Sequence, residues 1–272
     1  MNTRNLVGLE VPVIGMGSAS TFDVEDHESL DVRRRIIDSC ITSGSTLIDT
    51  SPMYGRAEKA LGVALKSRVG QFQLATKVWA VGKETGRRQI ARSFDLLNAD
   101  HIHVFQIHNM VDWKTHLPYL EGLKEEGKID LIGISYTYPS GFPEMLEIMK
   151  THRIHTIQIT YNALEREAEE EMLPLAQELG IGVLIMRPLA SGALAKNISQ
   201  QPDLSPLKEF GIETWAQALL AWVLADPRVT TLIPSSTRPE RILSNAEAGN
   251  LPPLPRDLRD HILKEAQRCV AS

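Results

Sequence analysis

The sequence predicts an α/β fold, a single (β/α)8 TIM barrel occupying residues 1–272. Three observations predict it. Short apolar runs of high β-propensity recur about every 25 to 35 residues, with helical patterns between them. Eight such runs can be counted, and they are apolar rather than alternating, as strands buried on both faces require. No Gly-x-Gly-x-x-Gly follows the first run, where Gly15-Met16-Gly17 stops short, so the open doubly wound sheet lacks its usual fingerprint.

In order, the strand runs are Val11–Met16, Thr46–Ile48, Gln73–Val78, Ile102–Ile107, Leu131–Ile134, Thr156–Thr160, Gly182–Met186 and Thr230–Ile233. After the first, Val32, Ile36, Ile37, Cys40 and Ile41 fall at helical spacing, with Gly44 at the expected stop. A helix beginning near Leu173 takes Pro174 in its first turn and ends at Gly180. Lys196–Phe210 shows no clear pattern and reads as a functional loop. Trp215, Leu219, Trp222 and Val223 mark another helix, with Thr214 and Gln217 spaced for a capping box. A second box is expected at Thr237 and Glu240, with Pro239 in the first turn.

Composition removes several function classes. Apolar residues make up 43% and charged residues 23%, an ordinary globular balance. The net charge of −5 with no long basic run argues against nucleic acid and anionic membrane. No apolar run reaches membrane-spanning length, and Met1–Leu9 has no signal-like core. Cys40 and Cys269 form no metal or redox spacing, which suits a reducing cytoplasm.

Chemistry in such a barrel sits at the C-terminal ends of the strands. Asp49 follows the second run, Lys77 lies near the end of the third, and His108 follows the fourth. Ser135, Gln158, Arg187, Ser235 and Ser236 occupy corresponding places on later strands. Each has an ordinary structural reading: Asp49 as a turn cap, Lys77 as a strand end, His108 as a structural histidine. His101, His103 and His108 share a segment without carboxylate or cysteine companions at ligand spacing, so no metal is expected. Tyr54, five residues after Asp49, gives the set a shared purpose. A phenol is a poor acid at neutral pH, and a nearby ammonium lowers its pKa. A carboxylate holds that ammonium, and a histidine can bond a carbonyl oxygen. Together these groups could protonate the alkoxide formed when hydride reaches a carbonyl, with hydride coming from a nicotinamide cofactor.

The motifs resemble those of the aldo-keto reductases over nearly the whole chain. Asp49-Thr-Ser-Pro-Met-Tyr54-Gly55 is similar to the family's D-x-x-x-x-Y-G, and Thr76-Lys77 to its T-K strand end. The strand ending at His108, Gly133-Ile-Ser135, Arg187-Pro188-Leu189-Ala190-Ser191-Gly192 and Ile233–Asn245 follow in family order. The resemblance implies Tyr54 as general acid, Lys77 and Asp49 tuning it, and His108 orienting the carbonyl. It implies NADP(H) as cofactor, with Ser135 and Gln158 at the nicotinamide carboxamide and Leu189 and Ser191 along the pyrophosphate. Ser236 and Arg241 match the 2′-phosphate positions, with Ser235, Thr237 and Arg238 beside them, and Asn245 the adenine position. A helix N-terminus and two arginines suit that phosphate physically.

The chain departs from the pattern in places. Met186 stands where the family stacks an aromatic residue on the nicotinamide, and methionine can still cover a ring face. Arg187 replaces a serine; it could reach the pyrophosphate or an anionic substrate, or pair with a carboxylate on the rim. Ala19 stands at a common tryptophan position, Tyr136 at a common asparagine, and Ser235 at a common basic residue. With no long tail after Cys269, a more open pocket is expected, walled by Phe22, Trp79, Met110 and Tyr136. The leading expectation is NADPH-dependent reduction of an aldehyde or ketone. The alternatives are a sugar or alcohol dehydrogenase, a cofactor-binding regulatory barrel, and a lyase or isomerase of phosphorylated substrates.

Overall fold

Residues 1–196 and 198–270 are described by the computed structural model. The chain opens with an antiparallel hairpin, β1 (Thr3–Leu6) and β2 (Leu9–Pro12). Its two-residue tip, Val7 and Gly8, has φ of 51° and 94°, the twist-matched turn a tight hairpin favours.

Eight parallel strands follow: β3 (Met16–Gly17), β4 (Leu47–Asp49), β5 (Gln73–Val78), β6 (Ile102–His108), β7 (Ile129–Tyr136), β8 (Thr156–Thr160), β9 (Gly182–Met186) and β10 (Thr231–Leu232). They pair in sequence order, each with the next except for the last, β10, which turns back to β3. Closure runs through backbone bonds from Gly15 to Leu232 at 2.8 Å, from Leu232 to Val13 at 2.9 Å and from Gly17 to Pro234 at 3.1 Å. This is a (β/α)8 barrel.

The helices are α1 (His27–Ser43), α2 (Ala57–Leu65), α3 (Lys83–Leu97), α4 (Trp113–Glu125), α5 (Phe142–Met149), α6 (Met172–Leu179), α7 (Ala193–Lys196), α8 (Ser205–Lys208), α9 (Trp215–Leu224), α10 (Pro239–Glu247) and α11 (Arg256–Cys269). The Gly44 stop holds, at φ 78°, and Gly180 ends α6 at φ 67°. The box joining Thr214 and Gln217 forms. Among the described residues no helix is long and apolar enough to cross a membrane.

Strand alternation explains where the chemistry sits. Leu47, Ala75, Val104, Leu131 and Leu184 point into the barrel and meet Leu6 and Val11, so the hairpin plugs its N-terminal mouth. Two residues further along each strand the side chain again faces inward. There the inward set changes character, to Asp49, Lys77, Gln106, Gly133 and Met186. The intervening outward residues, such as Ile48, Phe105, Ile107, Ile132, Ile157 and Val183, pack against the helices. The strands read as apolar because the inward positions turn polar only near their C-terminal ends.

Two expectations need correction. The run Val11–Met16 is not one strand: Val11 and Pro12 belong to the hairpin, and the barrel strand starts at Met16. Pro12 has no N–H to continue a ladder. Beyond it, a Cβ on Gly15 would lie 2.6 Å from the Leu47 carbonyl oxygen, so only glycine permits that approach. The box at Thr237 and Glu240 does not form. Proline at the start of α10 holds Arg238 extended, at φ −120° and ψ 118°, so Arg238 becomes the cap and Thr237 falls outside. The patternless stretch after Lys196 contains α8 and is fastened to the end of α11 by Ser199 N–H to the Cys269 carbonyl, at 2.7 Å; Asn197 lies outside the described residues.

Candidate active site

Asp49 and Lys77 form the floor of the site. Both are almost fully buried, and Lys77 Nζ donates to Asp49 Oδ1 at 2.7 Å, Oδ2 at 2.8 Å and the Thr50 carbonyl at 2.9 Å. Burial pulls the Lys77 pKa down, but Asp49 and the Tyr54 phenol outweigh it, leaving it above its ordinary value. Such a pair is kept for what it does to its neighbours, since desolvation consumes most of its attraction. Gln106, in register with Lys77 on β6, donates to Asp49 Oδ1 at 3.4 Å.

Tyr54 is presented by a tight turn after β4. Its N–H donates to the Ser51 carbonyl at 3.0 Å, and Pro52 presets the turn between them. Gly55 follows at φ 63°, where a Cβ would strike the Asp23 carboxylate at 2.5 Å. Asp23 in turn accepts from the Arg56 N–H at 2.9 Å. The ring of Tyr54 lies 5.5 Å from Lys77 Nζ and 5.7 Å from the His108 ring, edge to face. Lys77 favours the phenolate as the sequence reasoning holds, but burial is the larger influence. The phenol pKa is raised, not lowered.

His108 Nδ1 lies 2.8 Å from Ser51 Oγ. Burial, with the charge of Lys77, holds its imidazole down to about 3, so it is neutral across the working range. Ser51 is a neighbour of His108 that the sequence reading missed. It follows β4 and His108 ends β6, with β5 between, so neither spacing nor strand order points to the pair.

Ser135 and Gln158 are opposite one another on β7 and β8, both essentially buried. Ser135 Oγ and Gln158 Oε1 have no partner among the described residues. Two such atoms in register match the donor and acceptor of a carboxamide. Met186 is half-buried and receives a 3.8 Å contact from Thr137 Oγ1 to its sulfur. Arg187, Ala190 and Ser191 all have positive φ, at 53°, 47° and 56°, in a loop that leaves Leu189 half-buried and Ser191 exposed. Arg187 Nε donates to Ser191 Oγ at 3.1 Å, and its Nη2 lies 3.7 Å from Glu165. Of the readings open for Arg187, the structure displays the rim carboxylate pair.

On the far side, Ser235, Thr237, Arg238 and Arg241 are exposed, while Ser236 and Asn245 are buried. Ser236 Oγ accepts from the Arg238 N–H at 3.0 Å. Neither arginine makes an ion pair among the described residues. They stand at the start of α10, where Pro239 has no N–H and the Arg241 N–H donates to the Arg238 carbonyl at 3.1 Å.

The pocket walls are revised. Trp79 is 43% exposed and Tyr136 is half-buried over Gly141, so both can line an open mouth. Phe22 is 0% and Met110 4% exposed, and both are packed into the core outside the barrel. The Arg33 guanidinium 5.8 Å from the Phe22 ring covers it. The histidines also gain a neighbour: Asp130 of β7 lies beside His101 and His103. Asp130 is held by His101 Nε2 at 2.9 Å. The Leu74 N–H donates to His103 Nδ1 at 3.2 Å, which puts the proton of neutral His103 on Nε2. The carboxylate companion that the sequence spacing lacks is therefore present in space, and the three residues form a group that could hold a metal ion.

A barrel whose polar rim joins a phenol, a buried ammonium–carboxylate pair and a neutral imidazole has groups suited to bonding and protonating a carbonyl oxygen. Comparison with known proteins gives it a family. The model of the Aldo/keto reductase family matches residues 13–262, and the chain belongs to that family. An NADH-specific methylglyoxal reductase of Escherichia coli is 26% identical, covering 92% of this chain and 91% of its own. The crystal structure of an aldo-keto reductase from Klebsiella pneumoniae in complex with NADPH superposes with a TM-score of 0.81 at 26% identity, covering 94% and 91%. The holo form of an aldo-keto reductase from Bacillus halodurans gives 0.79 at 28% identity, covering 100% and 98%. The chain is thus an oxidoreductase acting on carbonyl groups.

Proposed function

We propose that the protein is an NADPH-dependent reductase of a small aldehyde or ketone, with Tyr54 as general acid. The observation that carries this reading is the Tyr54 ring 5.5 Å from a lysine whose charge is locked by Asp49. The unpartnered Ser135 Oγ and Gln158 Oε1 suit the nicotinamide carboxamide, and Ser236, Arg238 and Arg241 suit a 2′-phosphate at the start of α10. Ser235, Thr237, Leu189, Ser191 and Asn245 are assigned to the same cofactor, with Met186 covering the ring. When bound, NADPH supplies hydride to the carbonyl carbon.

The chain's own groups manage the oxygen. His108, neutral and able to donate one N–H, holds the carbonyl oxygen. Tyr54 gives its proton to that oxygen as negative charge develops. Lys77 stabilises the phenolate left behind, and Asp49 keeps Lys77 charged and aimed. Burial raises the phenol pKa, so the acid stays loaded well into the alkaline range. The relative from Escherichia coli makes methylglyoxal the first substrate to try, and NADH the cofactor to compare. The test is NADPH consumption with methylglyoxal and identification of the alcohol formed. Tight NADPH binding without an alcohol product from any of a panel of small aldehydes and ketones would refute the proposal.

A further inference from the structure

Ser51 is 0% exposed and its hydroxyl has two neighbours. The Met53 N–H donates to Ser51 Oγ at 3.2 Å, and His108 Nδ1 lies 2.8 Å away. The first contact belongs to the Ser51–Tyr54 turn, so the segment that presents the phenol also fixes this hydroxyl. Met53 occupies an oxygen lone pair and leaves the O–H proton free. A hydroxyl carries one proton, and Nδ1 is the acceptor in reach. If Nδ1–H donated instead, the Ser51 proton would be stranded in a fully buried residue. A neutral imidazole that accepts at Nδ1 carries its own proton on Nε2. His108 is neutral because burial and Lys77 hold its pKa to about 3. Nε2 has no hydrogen-bond partner among the described residues.

We propose that Ser51 is a positioning residue: by donating to His108 Nδ1 it fixes the Nε2–H tautomer and so supplies the N–H that holds the substrate oxygen. The second half rests on the reductase reading. The first half stands on contacts within the protein. With the other tautomer, a lone pair would face the carbonyl oxygen and repel it.

The test reads the imidazole directly. Protein labelled with 15N-histidine is examined without cofactor or substrate, and the His108 signals are assigned by their loss in His108→Gln. The proton is expected on Nε2 in the wild type. In Ser51→Ala the signals shift toward a mixture of tautomers. In the same variant kcat falls about 10-fold or more, as expected for a weakened oxyanion donor, while NADPH affinity stays within about 2-fold. A wild-type proton on Nδ1 overturns the proposal, as does a Ser51→Ala spectrum identical to wild type. An unchanged kcat in a variant whose tautomer has shifted overturns its link to the reaction. Absence of turnover in the wild type counts against the reductase reading alone, because the spectrum needs no activity.

Discussion

Replacing Lys77 by methionine removes the cation from a carboxylate that cannot reach water. Asp49 is 2% exposed, and Lys77 is 1% exposed. Unit charges separated by the observed 2.7 Å attract by about 6 kcal/mol at an effective dielectric of about 20. Most of that only offsets the cost of taking both ions out of water. Removing one partner leaves the other's cost uncompensated, about 3–5 kcal/mol. Lys77→Met should therefore destabilise the fold by that amount, as measured by equilibrium urea unfolding followed by circular dichroism. Asp49→Asn should also be costly, because it strands the ammonium. The double variant removes both charges of the pair and should recover at least about 2 kcal/mol relative to the sum of the single losses. All three should lose reductase activity, since none retains a lysine locked beside the phenol. Additive losses in the double variant would refute the reasoning, as would a Lys77→Met cost below about 1 kcal/mol.

Arg241→Ala should weaken NADPH about 10- to 100-fold and leave NADH nearly unchanged, by fluorescence titration; equal losses would remove Arg241 from the 2′-phosphate. Gly55→Ala forces a Cβ to within 2.5 Å of the Asp23 carboxylate at a φ of 63°. It should lower kcat by displacing Tyr54 and reduce stability by more than about 1 kcal/mol; wild-type kinetics would show that the turn does not hold the phenol. His108 should make stability pH-dependent. Its folded value of about 3 lies below the ordinary 6.5, so the unfolded chain takes up a proton that the folded chain refuses. This contribution is complete above pH 6.5, drains as pH falls toward 3, and amounts to at most about 5 kcal/mol. Between pH 6.5 and 4.5 the wild type should lose about 2–3 kcal/mol more than His108→Gln; equal losses would contradict the depressed value.

The fold was legible because short, mainly apolar or β-branched runs recur along the chain with helical patterns between them, and Gln73–Val78, Thr156–Thr160 and Gly182–Met186 have the bounds read from sequence. The first strand was not legible. Val11, Ile14 and Met16 look alike in composition, and only the three-dimensional closure divides them between hairpin and barrel. The rim residues could be read because alternation fixes which side chains face inward once strand ends are known. Phe22 and Met110 could not, because they lie in loops whose direction depends on tertiary packing. Asp130 was invisible as a companion of His101 and His103 because it arrives from the next strand. The phenol pKa went the other way because charge proximity is readable in a motif, whereas depth of burial is not. Ser51 stands in the same motif as Asp49 and Tyr54, but its partner is 57 residues away.

The most direct test of the proposed function compares Tyr54→Phe with wild type in NADPH consumption on methylglyoxal, with cofactor affinity measured alongside. Loss of the proton donor should lower kcat by about 100-fold or more and leave NADPH affinity nearly unchanged. A Tyr54→Phe variant that reduces methylglyoxal at the wild-type rate would contradict the account.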